Sequence, residues 1–165
     1  MAFQQTVKQT QALGSAGQIS KAFHNYCNTF SAVVAEADSV CVGCFVQSTN
    51  KDGEVKGASG KAIDGKILGV VVKDKYISSC GTEAVHTYKV GDNVTILNAG
   101  NIFIEAKVNA SQGQYVHLVN DTGVLSFDNA IDTGGTKTYT GFRVSVGNAD
   151  PYTNKGIIEI TTANA

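Results

Sequence analysis

The stretch Tyr88–Val108, YKVGDNVTILNAGNIFIEAKV, decides the fold class of this chain. Two segments rich in β-branched residues flank Asn98-Ala99-Gly100, and a three-residue hairpin loop favours glycine at its left-handed position. The stretch therefore predicts a β-hairpin with one apolar face, because side chains alternate along a strand. The predicted cross-strand pairs on that core face are Ile96 with Ile102, Val94 with Ile104 and, further out, Val90 with Val108.

Phe103 lies on the opposite face of the predicted hairpin, which is otherwise mostly polar. A large aromatic side chain on such a face needs a cover. If Phe103 is exposed in an isolated protomer, it marks an oligomer surface. If it is buried within its own chain, the hairpin is central to a closed sandwich.

Length and composition favour one β-rich domain. A chain of 165 residues is most simply one domain, and 18 glycines with a charged fraction of 16% fit a fold with many glycine turns. With 13 basic and 14 acidic residues, the chain predicts no basic patch for nucleic acid. The apolar run Ile67–Val72 is far shorter than the roughly 20 residues of a membrane span. No secretory signal is expected, so synthesis in a cytosol is predicted.

Short apolar runs recur at intervals of roughly 8–12 residues after Ser39, a spacing typical of sandwiches and barrels. Further strands are predicted at Val40–Gln47, Lys66–Val72, Ala84–Tyr88, Gln114–Val119, Gly123–Phe127, Thr140–Val146 and Gly156–Thr161. Long loops are predicted at Ser48–Gly65 and Asn129–Tyr139. The predicted fold class is all-β, a single β-sandwich or barrel-like domain over residues 38–165 with an extended N-terminal arm and long polar loops.

Residues 1–37 form the predicted arm, in which apolar side chains are too sparse for a core strand. The spacing of apolar residues in Ile19–Phe30 is compatible with a short helix. Two hypotheses remain for this region. It is either an irregular segment over its own sheet or an extended arm that another chain buries.

Four cysteines raise the question of a metal site. Cys41 and Cys44 have the spacing of half a zinc site, but Cys27 and Cys80 stand alone and supply no second half. In the predicted strand, positions three apart point to opposite faces. We therefore expect no metal site and mostly buried thiols, with a disulfide only in an oxidising compartment.

Two chemical motifs are incomplete. Gly60–Lys66 matches the start of a phosphate-binding loop, but Ile67 replaces the required hydroxyl and a strand follows instead of a helix. The chain has three histidines: His24, His86 and His117. None stands in a pattern with a nucleophile and an acid, so no catalytic site, no cofactor and no enzyme activity are predicted. A hydrolase that uses Cys80 or an aspartate with His117 is the enzymatic alternative.

Several glycine motifs occur in a fixed order along the chain. They are Gly14 and Gly17, Gly69-Val70-Val71, Gly91-Asp92, Gly100-Asn101-Ile102 and Gly156-Ile157-Ile158-Glu159-Ile160. In their order and spacing the chain resembles the structural cement, or head decoration, proteins of tailed bacteriophages. This resemblance implies a non-enzymatic virion protein that binds the outer surface of a capsid through the major capsid protein and cements neighbouring capsomers. It also implies a homo-oligomer, a trimer in preference to a dimer.

The resemblance suggests which residues make these contacts. The arm would meet the capsid or a neighbouring protomer through apolar side chains. The candidate contact residues are Phe3, Val7, Leu13, Ile19, Phe23, Tyr26 and Phe103. The alternative function is a carbohydrate-binding β-sandwich module on a virion or cell surface, with Tyr76, Tyr139 and Tyr152 as its sugar platform.

Overall fold

The computed structural model describes residues 14–20, 27–37, 39–73, 87–147 and 156–162. Within these ranges the chain forms strands only, with no helix long and apolar enough to cross a membrane. The strands are β1 (Asn28–Val34), β2 (Phe45–Ser48), β3 (Glu54–Gly57), β4 (Ile67–Val71), β5 (Asn93–Ala99), β6 (Asn101–Glu105), β7 (Tyr115–Val119), β8 (Leu125–Asp128), β9 (Lys137–Val146) and β10 (Ile157–Thr162).

The strands form two sheets. The first is a closed barrel in the order β1-β3-β2-β4-β5, in which β5 pairs with β1 and closes the ring. The second is an open sheet in the order β6-β10-β9-β7-β8. The predicted all-β class is confirmed.

The larger core lies between the barrel and the open sheet. At its centre the rings of Phe45 on β2 and Phe142 on β9 meet edge to face, with centroids 5.9 Å apart. Alternate side chains of the open sheet point to this layer and complete it. They include Ile102, Ile104, Val116, Leu118, Val144, Ile158 and Ile160.

A second core fills the barrel, and β5 contributes to both cores. Val94 and Ile96 pack with Val46 and Val71 in the barrel cluster, whereas Leu97 belongs to the core between the sheets. Leu97 is thus buried on the face of β5 opposite to Val94 and Ile96, while Asn93 on the same face as Leu97 is exposed.

The predicted hairpin is wrong in its pairing. Of its predicted core face, Val94, Ile96, Ile102 and Ile104 are buried, whereas the outer pair Val90 and Val108 is exposed. β5 is hydrogen-bonded to β1 and β4, and β6 is hydrogen-bonded to β10, so the two strands lie in different sheets. Gly100 has a φ of 129°, a positive value that favours glycine, and the chain changes sheets there. The alternation of apolar and polar residues shows which side chains are buried. It does not show whether the two strands pair with each other, because the same pattern arises when they line two different cores.

Two strands were missed. β1 lies in the predicted arm and β3 lies in the predicted loop Ser48–Gly65, yet both belong to the barrel. The judgement that the region up to residue 37 is too sparse for a core strand is wrong, because Ala32 and Val34 alternate into the barrel. Both ends of the predicted helix are also extended: Ile19 bridges β6, and Phe30 is on β1.

The remaining strand predictions are mostly confirmed. β4, β7, β8 and β10 lie within two residues of their predicted bounds, whereas β9 starts at Lys137 and shortens the second predicted loop. The predicted strand Val40–Gln47 begins at Phe45, because Cys41–Cys44 forms a turn. Of Ala84–Tyr88, the first three residues lie outside the described ranges, and Thr87 bridges Cys41.

Gln47 is a buried polar residue that holds the loop between β3 and β4. Its Nε2 donates to the carbonyls of Gly57 and Ala62 at 3.1 and 2.9 Å, and its Oε1 accepts from the amides of Asp64 and Gly65 at 3.0 and 2.9 Å. All four hydrogen-bonding positions of the side-chain amide are occupied. The loop is therefore fixed by one side chain from the barrel.

We expect Gln47→Ala to lower the free energy of unfolding by roughly 2–4 kcal/mol, because it leaves buried backbone groups without partners. Chemical denaturation of the purified variant measures this loss. The exposed Gln112 serves as control, and Gln112→Ala should change stability by less than about 0.5 kcal/mol. Equal effects at the two positions would contradict the role of Gln47.

Candidate functional site

The N-terminal residues 14–20, here called the anchor segment, lie along the free edge of β6. The Gly17 amide donates to the Phe103 carbonyl at 2.8 Å, and the Phe103 amide donates to the Gln18 carbonyl at 3.0 Å. The Ser20 amide continues this pattern at Asn101, and Ile19 bridges Ile102 in antiparallel fashion. The anchor segment thus covers an edge that would otherwise present unpaired backbone groups.

Phe103 is buried within the chain, with 4% of its surface exposed. Gly14 lies against its ring, and a Cβ built on Gly14 would be 2.3 Å from Phe103 Cδ2. Only a residue without a side chain fits at that distance without movement of the ring. Of the two outcomes predicted for Phe103, burial within its own chain is the one observed, so the strand that carries it, β6, is central to the closed structure.

A turn of the barrel supports the anchor segment from the other side. The Lys73 amide donates to the Gly17 carbonyl at 2.7 Å, and the Gly43 amide donates to Val71 at 2.9 Å. Gly17 and Gly43 both have positive φ and pack so closely that a Cβ on Gly43 would lie 2.9 Å from the Gly17 amide nitrogen. The anchor segment therefore joins the barrel to the open sheet.

The turn that carries Gly43 is closed by a disulfide between Cys41 and Cys44. The expectation that these two residues are thiols on opposite faces of a strand is wrong, because a turn brings positions three apart together. Cys27 is exposed, and Cys80 lies outside the described residues. Within the described ranges, no group of three or more potential ligands could hold a metal ion.

The predicted contact residues divide into two groups. Ile19 and Phe103 come together at the anchor segment, where Ile19 is partly buried against the main core and Phe103 is covered by Gly14. The others lie outside the described residues. They are Phe3, Val7, Leu13, Phe23 and Tyr26.

His117, the histidine of the hydrolase alternative, is fully buried on the outer face of the open sheet. Its Nε2 accepts a hydrogen bond from the Asp132 amide at 3.2 Å, and its Nδ1 faces Asp128 Oδ2 at 3.4 Å. An Nε2 that accepts from an amide places the ring proton on Nδ1. The ring therefore holds the loop between β8 and β9, and Nε2 is not available to a nucleophile in this arrangement.

Asp128 carries the ionic part of this cluster. Lys137 Nζ donates to its two carboxylate oxygens at 2.9 and 3.2 Å, and Ser126 Oγ donates at 3.0 Å. The hydrogen bond from Lys137 holds the pKa of Asp128 below its usual range, more than burial raises it. Lys137 and Ser126 together fix the Asp128 carboxylate beside the His117 ring.

The phosphate-loop-like stretch is also used by the fold. The Gly60 amide donates to the Gly123 carbonyl at 3.1 Å, and the Ile63 amide donates to the Asn120 carbonyl at 2.7 Å. Two further amides of the stretch bind the buried glutamine described above. The stretch acts as a turn that ties the barrel to the loop between β7 and β8.

A third group of side chains lies beside His117 on the outer face, and sequence reasoning named only one of its members, Tyr139, as part of the sugar platform whose other members, Tyr76 and Tyr152, lie outside the described residues. Tyr115 on β7 and Tyr139 and Arg143 on β9 form a patch, here called the tyrosine–arginine patch. The rings of Tyr115 and Tyr139 meet edge to face at 5.5 Å, and the Arg143 guanidinium lies 4.2 Å from the Tyr115 ring centre. The available signal was alternation along Lys137–Val146, which puts Tyr139 and Arg143 outward while Phe142 and Val144 point inward.

The same two-sheet architecture occurs in a phage capsid structure. A chain of the solved structure described as the capsid of Myoviridae phage XM1 is similar with a TM-score of 0.59 and 16% sequence identity. The match covers 98% of this chain and 97% of that chain. At this identity the similarity concerns the fold.

The sequence itself matches a family. The family model described as structural cement protein (E217 gp24/Pam3 gp6) matches residues 3–163. The chain belongs to this family of phage structural cement proteins, and the resemblance inferred from the glycine motifs is confirmed. It is a structural, capsid-stabilising component of a phage virion. No curated protein matches the chain.

We expect Gly14→Val to detach the anchor segment, because the new side chain collides with Phe103. Amide exchange at Gly17 and Phe103 should become at least about tenfold faster, since the hydrogen bonds that these amides donate to the carbonyls of Phe103 and Gln18 open. Hydrogen exchange followed by mass spectrometry measures this change. In a Phe103→Ala background the same substitution should have little further effect, because the space is restored. Unchanged exchange in the single variant would show that Gly14 does not cover the ring.

We expect the Lys137–Asp128 interaction to make stability depend on acid. The folded-state pKa of Asp128 is lowered, so its contribution is complete above the ordinary aspartate value of 3.8 and is lost as pH falls through the lower folded-state value. The stability difference between wild type and Asp128→Asn should therefore shrink as the pH falls below that range in denaturation series. The exposed Asp121 is the control, and a difference for Asp128→Asn that stays constant with pH would refute the assignment.

Proposed function

We propose that this protein binds the outer surface of a bacteriophage capsid and cements neighbouring capsomers. Membership of the structural cement family supports a role at the capsid. The observation that carries the proposal further is the anchor segment, which is fixed at the junction of barrel and open sheet. Gly14 is therefore fixed in place, and the proposed contacts with the capsid or an adjacent protomer are made by the residues ahead of it.

The proposed contacts are apolar. Phe3, Val7 and Leu13 precede the anchor segment, and each contributes about 1.5–3 kcal/mol when fully buried against a partner. Phe23 and Tyr26 stay in the proposed set. Ile19 and Phe103 pack within the chain, where they hold the anchor segment that precedes the proposed contact residues Phe23 and Tyr26 and follows Phe3, Val7 and Leu13.

Such binding stabilises the shell by mass action. A protein that binds the assembled capsid in preference to free subunits shifts the equilibrium toward assembly, by an amount that grows with its free concentration relative to Kd. The association cost of each copy must first be offset by its buried surface. Because one shell offers many equivalent sites, the small contributions of the individual copies add up to a large stabilisation of the shell.

We further propose that the partner is the major capsid protein and that the role is non-catalytic. The ring nitrogens of His117 and the amides of the phosphate-loop-like stretch support a non-catalytic role, because both serve the fold. By resemblance to the cement family, we propose synthesis in the host cytoplasm and a homo-oligomer, a trimer in preference to a dimer.

We expect deletion of residues 2–13 to reduce binding to heads by at least tenfold while the anchor segment and both sheets stay folded. Removal through residue 20 would be a poor test, because it uncovers Phe103 and the edge of β6. Co-sedimentation of the purified protein with heads that lack it measures binding, and circular dichroism reports the fold.

A matched control keeps the length of the arm. Replacement of Phe3, Val7 and Leu13 by serine leaves the chain intact but removes the apolar contacts, and it should weaken binding to a similar extent. Wild-type binding by both the deletion and the serine variant would contradict the proposed role of the arm.

A further inference from the structure

The tyrosine–arginine patch carries one positive charge, that of Arg143. Arg143 is the only arginine of the protein. It donates a hydrogen bond to the Tyr115 hydroxyl and stacks on the same ring. None of the ion pairs formed among the described residues includes Arg143.

Two carboxylates on the outer face of the open sheet have other hydrogen-bond partners. Asp128 is bound by Lys137 at 2.9 Å, and Glu159 accepts a hydrogen bond from Asn101 at 2.8 Å. The charge of Asp128 is therefore paired with Lys137, whereas the amide that binds Glu159 is neutral. The Arg143 guanidinium itself stacks on the uncharged Tyr115 ring.

Two polar atoms of the patch have unmet hydrogen-bonding capacity. Arg143 Nε is buried without a hydrogen-bond partner among the described residues, and the buried Tyr139 hydroxyl has no partner of good geometry there. Burial raises the pKa of Tyr139, while a hydrogen-bonding contact with the Arg143 side chain and its positive charge lower it, so the hydroxyl reaches the guanidinium. Most buried polar groups in native proteins are hydrogen-bonded, and a group that is not calls for a specific partner such as a water, an ion or a side chain.

We propose that the tyrosine–arginine patch is a docking surface for a carboxylate side chain of the capsid protein. A carboxylate is the acceptor that matches a guanidinium in charge and geometry, and the Tyr139 hydroxyl supplies a second donor beside it. Entry of the carboxylate needs a side-chain rotation of Arg143, a change that is common on binding. This inference rests on the proposed capsid-binding function and names a second contact, separate from the arm.

The energetic logic is that of an interface hot spot. Tyrosine and arginine are the residue types most enriched in such spots, and a half-buried guanidinium has already lost part of its hydration before the partner arrives. The aromatic rings also hold the arginine in place, which reduces the ordering cost of binding. One acidic residue of the partner then contributes more to the binding free energy, because the arginine is already ordered before binding.

The test measures the Kd of the protein for purified heads that lack it. It compares removal of the positive charge at Arg143 with removal of the positive charge at Lys107. Arg143→Met should raise the Kd at least about tenfold, Arg143→Lys should restore only part of the loss, and Tyr139→Phe should raise the Kd several-fold. Lys107→Met, which removes an exposed charge after β6, should stay within about twofold of wild type. Thermal unfolding of each free variant confirms that it is folded.

The outcomes separate the two proposals. Failure of the wild-type protein to bind heads overturns the proposed function and this inference with it. Wild-type binding with an unchanged Kd for Arg143→Met overturns only the docking surface. Dissociation of a free oligomer by Arg143→Met would assign the carboxylate to a second copy of this chain and would also overturn the assignment to the capsid. A loss confined to Arg143 and Tyr139, with Lys107→Met unaffected, supports it.

Discussion

The passage of the backbone through Gly100 is the constraint on which both cores depend. Within three residues the chain leaves the barrel at Ala99 and enters the open sheet at Asn101. β5 therefore faces the barrel interior with Ile96 and the main core with Leu97. β6 in turn can pair with β10 on one side and with the anchor segment on the other. A tight hairpin at this place would keep both strands in one sheet and leave neither core complete.

The anchor segment is the second joint between the two sheets. It hydrogen-bonds β6 through Gly17 and Gln18, and it meets the barrel through Lys73 and the disulfide-closed turn at Gly43. Glycines are needed where these backbones approach each other closely, because any Cβ there would collide. Gly14 and Gly17, two of the glycines that first suggested the cement family, thus have a physical role in holding the anchor segment in place.

The sequence predicted burial better than it predicted pairing. Val94, Ile96, Ile102 and Ile104 are buried as expected, because alternation reports which side chains avoid water. Alternation does not report the neighbour of a strand, so the hairpin was predicted where the chain changes sheets. β3 was missed because four residues with two outward polar positions look like loop, and the turn at Cys41–Cys44 was missed because its apolar residues fit a strand.

The site was less predictable than the fold for a related reason. Ile19 and Phe103 were named as contacts from the resemblance, but their packing at one edge depends on Gly14, which has no side chain for a pattern to detect. Arg143 was overlooked because one arginine does not make a charge pattern. Its significance comes from the neighbours that the sheet supplies, Tyr115 across the strand and Tyr139 along it.

The central claim is that residues 14–20 belong to the protein's own sheet and that the residues ahead of them belong to the interface with the capsid. Hydrogen exchange of the same protein, free and bound to heads, tests this division most directly. The account predicts that the amides of Gly17 and Phe103 are protected in both states and that residues 3–13 gain protection only on heads. Rapid exchange of Gly17 in the free protein, with protection gained only on binding, would show that the capsid supplies the anchor and would contradict the account.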